Sequence, residues 1–148
     1  MIRFLIYIFV IYLLFKKLYY VILNYKEYYS VNKLHLNLVK TNETKRNKGI
    51  MYRKSPLKNN EGLLFIYPKS HKIKMLMKNI HIPLDLLFLD TKMKVVDYKE
   101  NLKPSDIKNN YISNIACKHT IEINGGTIKK NNIKKGTIIV PKYINKLS

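Results

Sequence analysis

The chain of 148 residues is poor in several residue types, and the shortage of cysteine excludes two kinds of site. It has one cysteine, Cys117, so neither an internal disulfide nor a metal site built from several cysteines can form. Tryptophan is absent, alanine occurs once and arginine three times. Only 9 acidic residues accompany 28 basic ones, which gives a formal net charge of +19. A hydrophobic fraction of 47% is too high for a disordered basic tail, and the length suits one domain with an appendage.

The positive charge has a compositional explanation. The abundant Lys, Ile, Asn and Tyr have AT-rich codons, whereas the scarce Ala, Arg, Gly and Pro have GC-rich codons. An AT-biased genome would produce this lysine excess without selection by any partner. The pairs Lys129-Lys130 and Lys134-Lys135 have one aromatic neighbour, Tyr143, and match no nucleic-acid-binding motif. We therefore interpret them as a solvated basic face, which anionic lipid head groups would attract more naturally than nucleic acid would.

Residues 1–25 are the most apolar part of the sequence. An uninterrupted apolar run extends from Phe4 to Phe15, Lys16 and Lys17 follow, and a second apolar patch ends at Leu23. A membrane-spanning helix needs roughly 20 apolar residues, and both runs together supply them if the two lysines snorkel to an interface. No small-residue cleavage site follows. We predict a single-pass membrane anchor or uncleaved signal over residues 1–25 and a linker over residues 26–32; a cleaved signal peptide and a buried soluble helix are the alternatives.

Residues 33–142 have the pattern of a β-rich domain, followed by a tail over residues 143–148. Leucines at 34, 36 and 38 alternate with polar residues, which is typical of a half-buried strand. Further strands are predicted over residues 63–67, 73–77, 84–90, 94–98, 120–123 and 137–140. Short helices are predicted over 41–49 and 128–133, and a long loop over 100–114. The predicted fold class is α+β, mostly β: a compact barrel or sandwich-like domain of about seven short strands with one or two short helices, preceded by an N-terminal hydrophobic helix.

Three motifs follow one another in this region: K-G-I-M-Y-R at 48–53, E-G-L-L-F-I-Y-P at 61–68 and M-K-N-I-H-I-P-L-D-L-L-F-L-D at 77–90. Downstream are E-N-L-K-P at 100–104, I-E-I-N-G-G at 121–126 and K-G at 135–136. Over roughly residues 33–140 the series closely resembles the family called domain of unknown function 192. Leu76, Ile80 and Thr137 depart from the family pattern, and the cysteines that many relatives carry after E-N-x-x-P are absent. The resemblance implies a small, mostly β domain, often preceded by a signal or anchor, with no established activity.

Polar residues within and after these motifs are the candidate ligand-binding residues: Arg53, Lys78, Asn79, Asp85 and Glu100. Asp85 stands among leucines in a predicted strand, so its carboxylate needs solvent, a hydrogen bond or a cation such as Lys78 or Arg53. The alternative is that these groups hold loop backbones and one another. The four histidines lack metal-ligand spacing, so no metal site is predicted, and no nucleophile motif is present.

The sequence therefore favours an uncharacterised membrane-anchored accessory or ligand-binding domain with no assignable reaction, catalytic residue or cofactor. Its expected location is a membrane, which it crosses once. Its expected partners are that membrane, through residues 1–25, and an unknown small ligand or protein. The alternative is an enzyme of unknown reaction that uses the polar cluster around Lys78, Asn79 and Asp85.

Overall fold

The computed structural model describes residues 7, 9–20, 33–41 and 49–147, in two units that cover Met1–Val31 and Asn32–Ser148. The first unit contains helix α1, over residues 9–20. Among the described residues no helix combines the length and the apolar character that crossing a membrane requires. The elements of the second unit are β1 (Lys33–Thr41), β2 (Glu61–His71), β3 (Lys74–Met75), β4 (Leu84–Leu89), β5 (Val95–Leu102), β6 (Tyr111–Ile112), β7 (Cys117–Asn124), α2 (Thr127–Lys130) and β8 (Ile138–Tyr143).

Six of these strands form one sheet in the order β5-β4-β7-β2-β1-β8, and β3 pairs with β6 in a separate two-stranded sheet. Strand β1 runs parallel to both β2 and β8, whereas the pairs β2–β7, β7–β4 and β4–β5 are antiparallel. The large sheet curls so far that its two edge strands meet at one end. There the amide of Val95 donates to Thr137 O and that of Ile139 donates to Met93 O, at 2.8 and 2.9 Å. The sheet is therefore a half-barrel, closed at the beginning of β5 and β8.

Alternation along the strands divides the core into two clusters. Side chains from all six strands and α2 meet inside the curl, in a group that we call the inner cluster: Leu36, Leu38, Leu64, Leu87, Leu89, Val95, Ile121, Ile123, Ile128, Ile133 and Ile139. The outer cluster lies on the opposite face, under the connections around residues 50–57 and 73–82, and includes Leu63, Phe65, Leu84, Leu86 and Phe88. Strand β4 contributes to both clusters, which is why all six of its residues are buried.

The predicted fold class is confirmed: the structure is mostly β, with the half-barrel, a small second sheet and two described helices. The chain between Glu100 and Leu102 differs from the predicted loop, because β5 continues through it and pairs Leu102 with Leu84. Strand β3 is shorter than predicted. The helix predicted between residues 41 and 49 falls mainly on residues 42–48, which lie outside the described residues, and Thr41 itself ends β1.

Candidate functional site

A buried carboxyl group, that of Glu122, is the most unusual polar feature of the second unit. Glu122 lies in β7 between Ile121 and Ile123, whose side chains join the inner cluster, so its own side chain points to the outer face. Its neighbours across the ladder are Leu63 in β2 and Leu86 in β4, both buried. Only 3% of Glu122 is exposed. A carboxyl group is thus placed in an almost entirely apolar neighbourhood.

The environment of Glu122 changes its protonation. Burial raises the pKa of its carboxyl from the ordinary 4.5 to about 8, although a hydrogen bond from the backbone N–H of Ile50 lowers it in part. Its Oε2 atom has no hydrogen-bond partner among the described residues. At neutral pH the group is therefore mostly a neutral carboxylic acid, able to donate one hydrogen bond and accept others.

The turn at Gly49 is shaped to fit this carboxyl group. Gly49 has a φ of +50°, and a Cβ atom there would lie 3.3 and 3.4 Å from the two carboxyl oxygens of Glu122. The following turn is held by Asn79: the amide of Tyr52 donates to Asn79 O at 2.8 Å, and Asn79 Nδ2 donates to the Tyr52 hydroxyl at 2.9 Å. Asn79 therefore positions the segment whose Ile50 amide faces Glu122.

Glu122 lies in the lining of a cleft of about 350 Å³. Its walls are mostly apolar, and the lining residues are Gly49, Met51, Phe65, Tyr67, Lys74, Met75, Leu76, Lys78, Ile80 and Glu122. One wall is β3, which pairs Met75 with Tyr111 of β6 and accepts a contact of 3.7 Å from the Tyr67 hydroxyl to Met75 Sδ. The volume falls at the lower end of the range for small-molecule sites, roughly 300–1,000 Å³.

Two lysines supply positive charge to the cleft. Lys74 and Lys78 are both exposed, and among the described residues they are the basic ones in its lining. Within the part of the chain that the structure describes, neither ammonium group forms a salt bridge. As far as the described residues go, the cleft thus combines a neutral acid at its buried end, apolar walls and two lysines that form no salt bridge.

Asp97 is another buried acid of this domain, and its carboxylate has both hydrogen-bond donors and cations as partners. Its oxygens accept hydrogen bonds from the backbone amide and side chain of Asn114 and lie 3.6 and 3.7 Å from the ammonium groups of Lys99 and Lys135. Burial works to raise the pKa of Asp97, but the bond from Asn114 and the charge of Lys99 together keep it below its ordinary value. Glu122 has no comparable set of partners.

The side chain of Asp85 lies on the face of the sheet opposite to that of Glu122. It lies between Leu84 and Leu86, which belong to the outer cluster, so its side chain points inward and is fully buried. Its Oδ1 accepts the amides of Asn101 and Gly126 at 2.7 and 3.1 Å, and its Oδ2 accepts that of Ile128 at 2.7 Å. The carboxylate therefore ties β5 and the start of α2 to β4, which is the structural role that the sequence offered as an alternative to ligand binding.

Arg53 and Glu100 lie apart from the Glu122 cleft. The guanidinium of Arg53 donates to the carbonyl oxygens of Ser55 and Pro56 at 2.8 and 3.3 Å, within its own turn. Glu100 is exposed and lines a different groove, of about 610 Å³, beside α2. Among the described residues no three His, Cys, Asp or Glu side chains come together in an arrangement that could hold a metal ion.

A family model of uncharacterized proteins, DUF192 (Uncharacterized ACR), matches residues 28–140. The chain belongs to the DUF192 family. The matched region contains the whole of the Glu122 cleft, Asp85 and α2. The resemblance predicted from the sequence motifs is thereby confirmed.

Two solved structures are similar to this DUF192 domain. One, from Sinorhizobium meliloti 1021, is described provisionally as a transcription regulator; it has a TM-score of 0.62 and 28% identity, over 68% of this chain and 76% of that one. The other, a protein of unknown function from Novosphingobium aromaticivorans DSM 12444, has a TM-score of 0.61 and 29% identity, over 67% and 69% of the two chains. No curated protein matches the chain.

Of the five residues predicted from the sequence, the structure brings two to the cleft of the DUF192 domain. Lys78 lines it, and Asn79 holds the turn beside it. Asp85 faces the other side of the sheet, so Lys78 and Asp85 do not share a site. Sequence reasoning missed Glu122, although the signal was present: it is an acid between two isoleucines in the I-E-I segment, where a strand buried on both faces leaves it no solvent.

Proposed function

We propose that this DUF192 domain is a binding module for a small molecule, which enters the cleft and forms a hydrogen bond with the carboxyl group of Glu122. The observation that carries the proposal is the Oε2 atom of Glu122, which is buried at the cleft and has no partner among the described residues. A buried polar atom without a partner costs about 1–3 kcal/mol. A ligand that satisfies this atom recovers that free energy, and the recovered free energy favours binding.

A comparison with two other buried acids supports this assignment. Asp85 and Asp97 each have several hydrogen-bond donors, as expected of carboxylates that stabilise a fold. Glu122 instead adjoins an open volume, and Gly49 leaves room beside it that any larger residue would fill. The site thus has the two properties of a small-molecule pocket: mostly apolar walls and a few convergent polar groups.

The experiment is an NMR fragment screen on the isotopically labelled full-length chain. We expect bound fragments to shift the amide resonances of Gly49, Met51 and Lys78. Glu122→Gln, which has the same shape but a different donor pattern, should weaken those fragments, whereas the matched control Glu100→Gln should not. Fragments that shift resonances only beside α2, or that bind Glu122→Gln and wild type equally, would contradict the proposal.

A catalytic role for the same cleft is the second candidate, and a specific observation favours it. A pKa of about 8 places the carboxyl of Glu122 in the range of a general acid or base at neutral pH. In that case a fragment bound in the cleft is converted to product, and the rate depends on a group that titrates near pH 8. Recovery of every bound fragment unchanged would count against an enzyme and in favour of simple binding.

We further propose that residues 1–25 attach the chain to a membrane, as a single-pass segment. The support is the pair of apolar runs between Phe4 and Leu23, on either side of Lys16 and Lys17, and the exposure of large side chains along α1, such as Phe9 at 60% and Phe15 at 68%. Extraction of membranes with alkaline carbonate tests this directly. We expect the full-length chain to remain in the pellet and a variant with Ile11→Lys and Leu14→Lys to be released. Release of the unmodified chain would refute the anchor.

A further inference from the structure

The charges around the Glu122 cleft restrict what it can bind. Lys74 and Lys78 line the cleft without a salt bridge to any described residue, and the acid that lines it with them is Glu122. An unpaired ammonium beside a partly dehydrated volume attracts an anion and repels a cation. The ligand therefore meets positive charge at the exposed side of the cleft.

The buried side of the cleft has a different character. Met51, Phe65 and Ile80 provide apolar surface, and two of these three, Phe65 and Ile80, are at most 2% exposed. The carboxyl of Glu122, raised to a pKa of about 8 by burial, is mostly neutral at pH 7 and so does not repel an anion held by the lysines. A wholly polar anion would leave the apolar walls uncovered, whereas a molecule with an apolar body would bury them.

We propose that the ligand of this cleft is a small organic anion, with its charged group at Lys74 and Lys78 and its apolar or uncharged body against Met51, Phe65 and Glu122. This inference rests on the proposed binding function, because it names the class of molecule that the same cleft takes. The proposal excludes amines and other cations, which would be the expected ligands of a cleft whose acid had no lysines near it. A carboxylate or a phosphate could supply the anionic group, since both accept charge-assisted hydrogen bonds from ammonium groups.

The test is a matched set of probes that differ in one group: 4-hydroxyphenylacetate, its uncharged amide 4-hydroxyphenylacetamide and the amine tyramine. Each is titrated into the labelled full-length chain, and its dissociation constant is taken from the shifts of cleft resonances. We expect the carboxylate to bind at least about tenfold more tightly than the other two, since a charge-assisted hydrogen bond is lost in each of them. 4-Hydroxyphenyl phosphate, titrated in parallel, shows whether carboxylate or phosphate is the better anionic group.

Two lysine variants identify the source of the preference. The double variant Lys74→Gln, Lys78→Gln should bind carboxylate and amide alike, whereas the control Lys92→Gln, Lys103→Gln, which removes two exposed lysines outside the cleft, should keep the preference of the wild type. Equal binding of carboxylate and tyramine at the cleft, or a preference that survives loss of Lys74 and Lys78, would overturn the anion proposal and leave the binding function intact. Failure of every probe to shift the cleft resonances would contradict the binding function itself.

Discussion

The carboxylate of Asp85 accepts a hydrogen bond of 2.7 Å from the backbone amide of Ile128, the second residue of α2. The same carboxylate accepts the amides of Asn101 and Gly126, so three segments distant in sequence are joined at one buried group. Helix α2 is only four residues long and has no side-chain cap from its own N-cap residue, Gly126. Asp85 supplies that missing acceptor from the neighbouring sheet.

Replacement of Asp85 should therefore destabilise the domain. Asp85→Ala leaves three backbone donors without their acceptor, and we expect a loss of at least about 3 kcal/mol in the free energy of unfolding. Urea denaturation measures this, with Glu100→Gln as a control that should change stability by less than about 0.5 kcal/mol. If Asp85→Ala unfolds at the wild-type urea concentration, the joining role assigned to this carboxylate is wrong.

Because the pKa of Glu122 is raised in the folded protein, we expect the stability of the domain to fall as pH rises. Its folded-state pKa of about 8 lies above the ordinary 4.5, so between these values the folded state binds more protons than the unfolded state. The contribution of this group to stability is therefore fully present below about pH 4.5, falls as pH rises towards 8, and is constant above that. The shift corresponds to a change of about 5 kcal/mol over this interval.

The measurement is the difference in unfolding free energy between wild type and Glu122→Gln from pH 5 to pH 9. Wild type should lose stability relative to the variant as pH rises, because glutamine in the same place cannot ionise. Lys74, Lys78 and Tyr67 also line the cleft and remain in both proteins, so the difference isolates the effect of Glu122. A difference that does not change with pH would show that Glu122 ionises at its ordinary pKa.

Gly49 should be coupled energetically to Glu122. Gly49→Ala places a Cβ at a φ of +50°, which costs about 1–2 kcal/mol, and also brings it 3.3 Å from a carboxyl oxygen. Glu122→Ala removes the oxygen, so in a double-mutant cycle we expect the two changes to be less destabilising together than their sum by about 0.5–1 kcal/mol. Gly126→Ala is the matched control: its φ is +83° but nothing lies within 4 Å of the added Cβ. Additive effects at Gly49 and Glu122, as at Gly126 and Glu122, would exclude the contact.

Asp106 and Tyr111 support β6, and through it the β3 wall of the cleft. The Tyr111 hydroxyl donates to Asp106 Oδ2 at 2.6 Å, and this bond, with that from Asn109, lowers the pKa of Asp106 to about 2. Tyr111→Phe should raise the pKa of Asp106 towards its ordinary 3.8, whereas Tyr98→Phe should leave it near 2. A carboxyl NMR titration measures this.

The pKa of Asp106 is lower in the folded state than in the unfolded state, so its carboxylate stabilises the fold above about pH 4, and this stabilisation is lost in acid. Tyr111→Phe should therefore reduce the stability that the protein loses on acidification. An unchanged pKa in Tyr111→Phe would refute the assignment.

Local patterns were sufficient to predict most of the fold. Alternating residues in β1, the apolar run of β4 and the turn at Gly125 and Gly126 each depend on neighbours in the chain, and the structure has strands or turns there. The long family motifs also predict the order in which these elements follow one another along the chain. The extension of β5 through Glu100 and Asn101 was not predictable in this way, because these two residues lie at a shift in register between the flanking pairs Lys99–Leu86 and Leu102–Leu84, where the amide of Asn101 donates to Asp85.

For the candidate site too, some features follow from the local sequence and others depend on the folded chain. The sequence by itself determined that Asp85 could not be buried without partners, that Lys78 and Asn79 were polar residues in an apolar motif, and that the chain is a DUF192 domain. Only the tertiary structure decided which face each side chain takes. The curl of the sheet gives Asp85 three backbone donors on the inner face. Glu122 emerges on the outer face under the turn at Gly49, and one of its oxygens has no hydrogen-bond partner within the described ranges. The partners of a buried carboxyl group come from strands and turns far away in sequence, so only the folded chain determines whether that group stabilises the fold or remains available to a ligand.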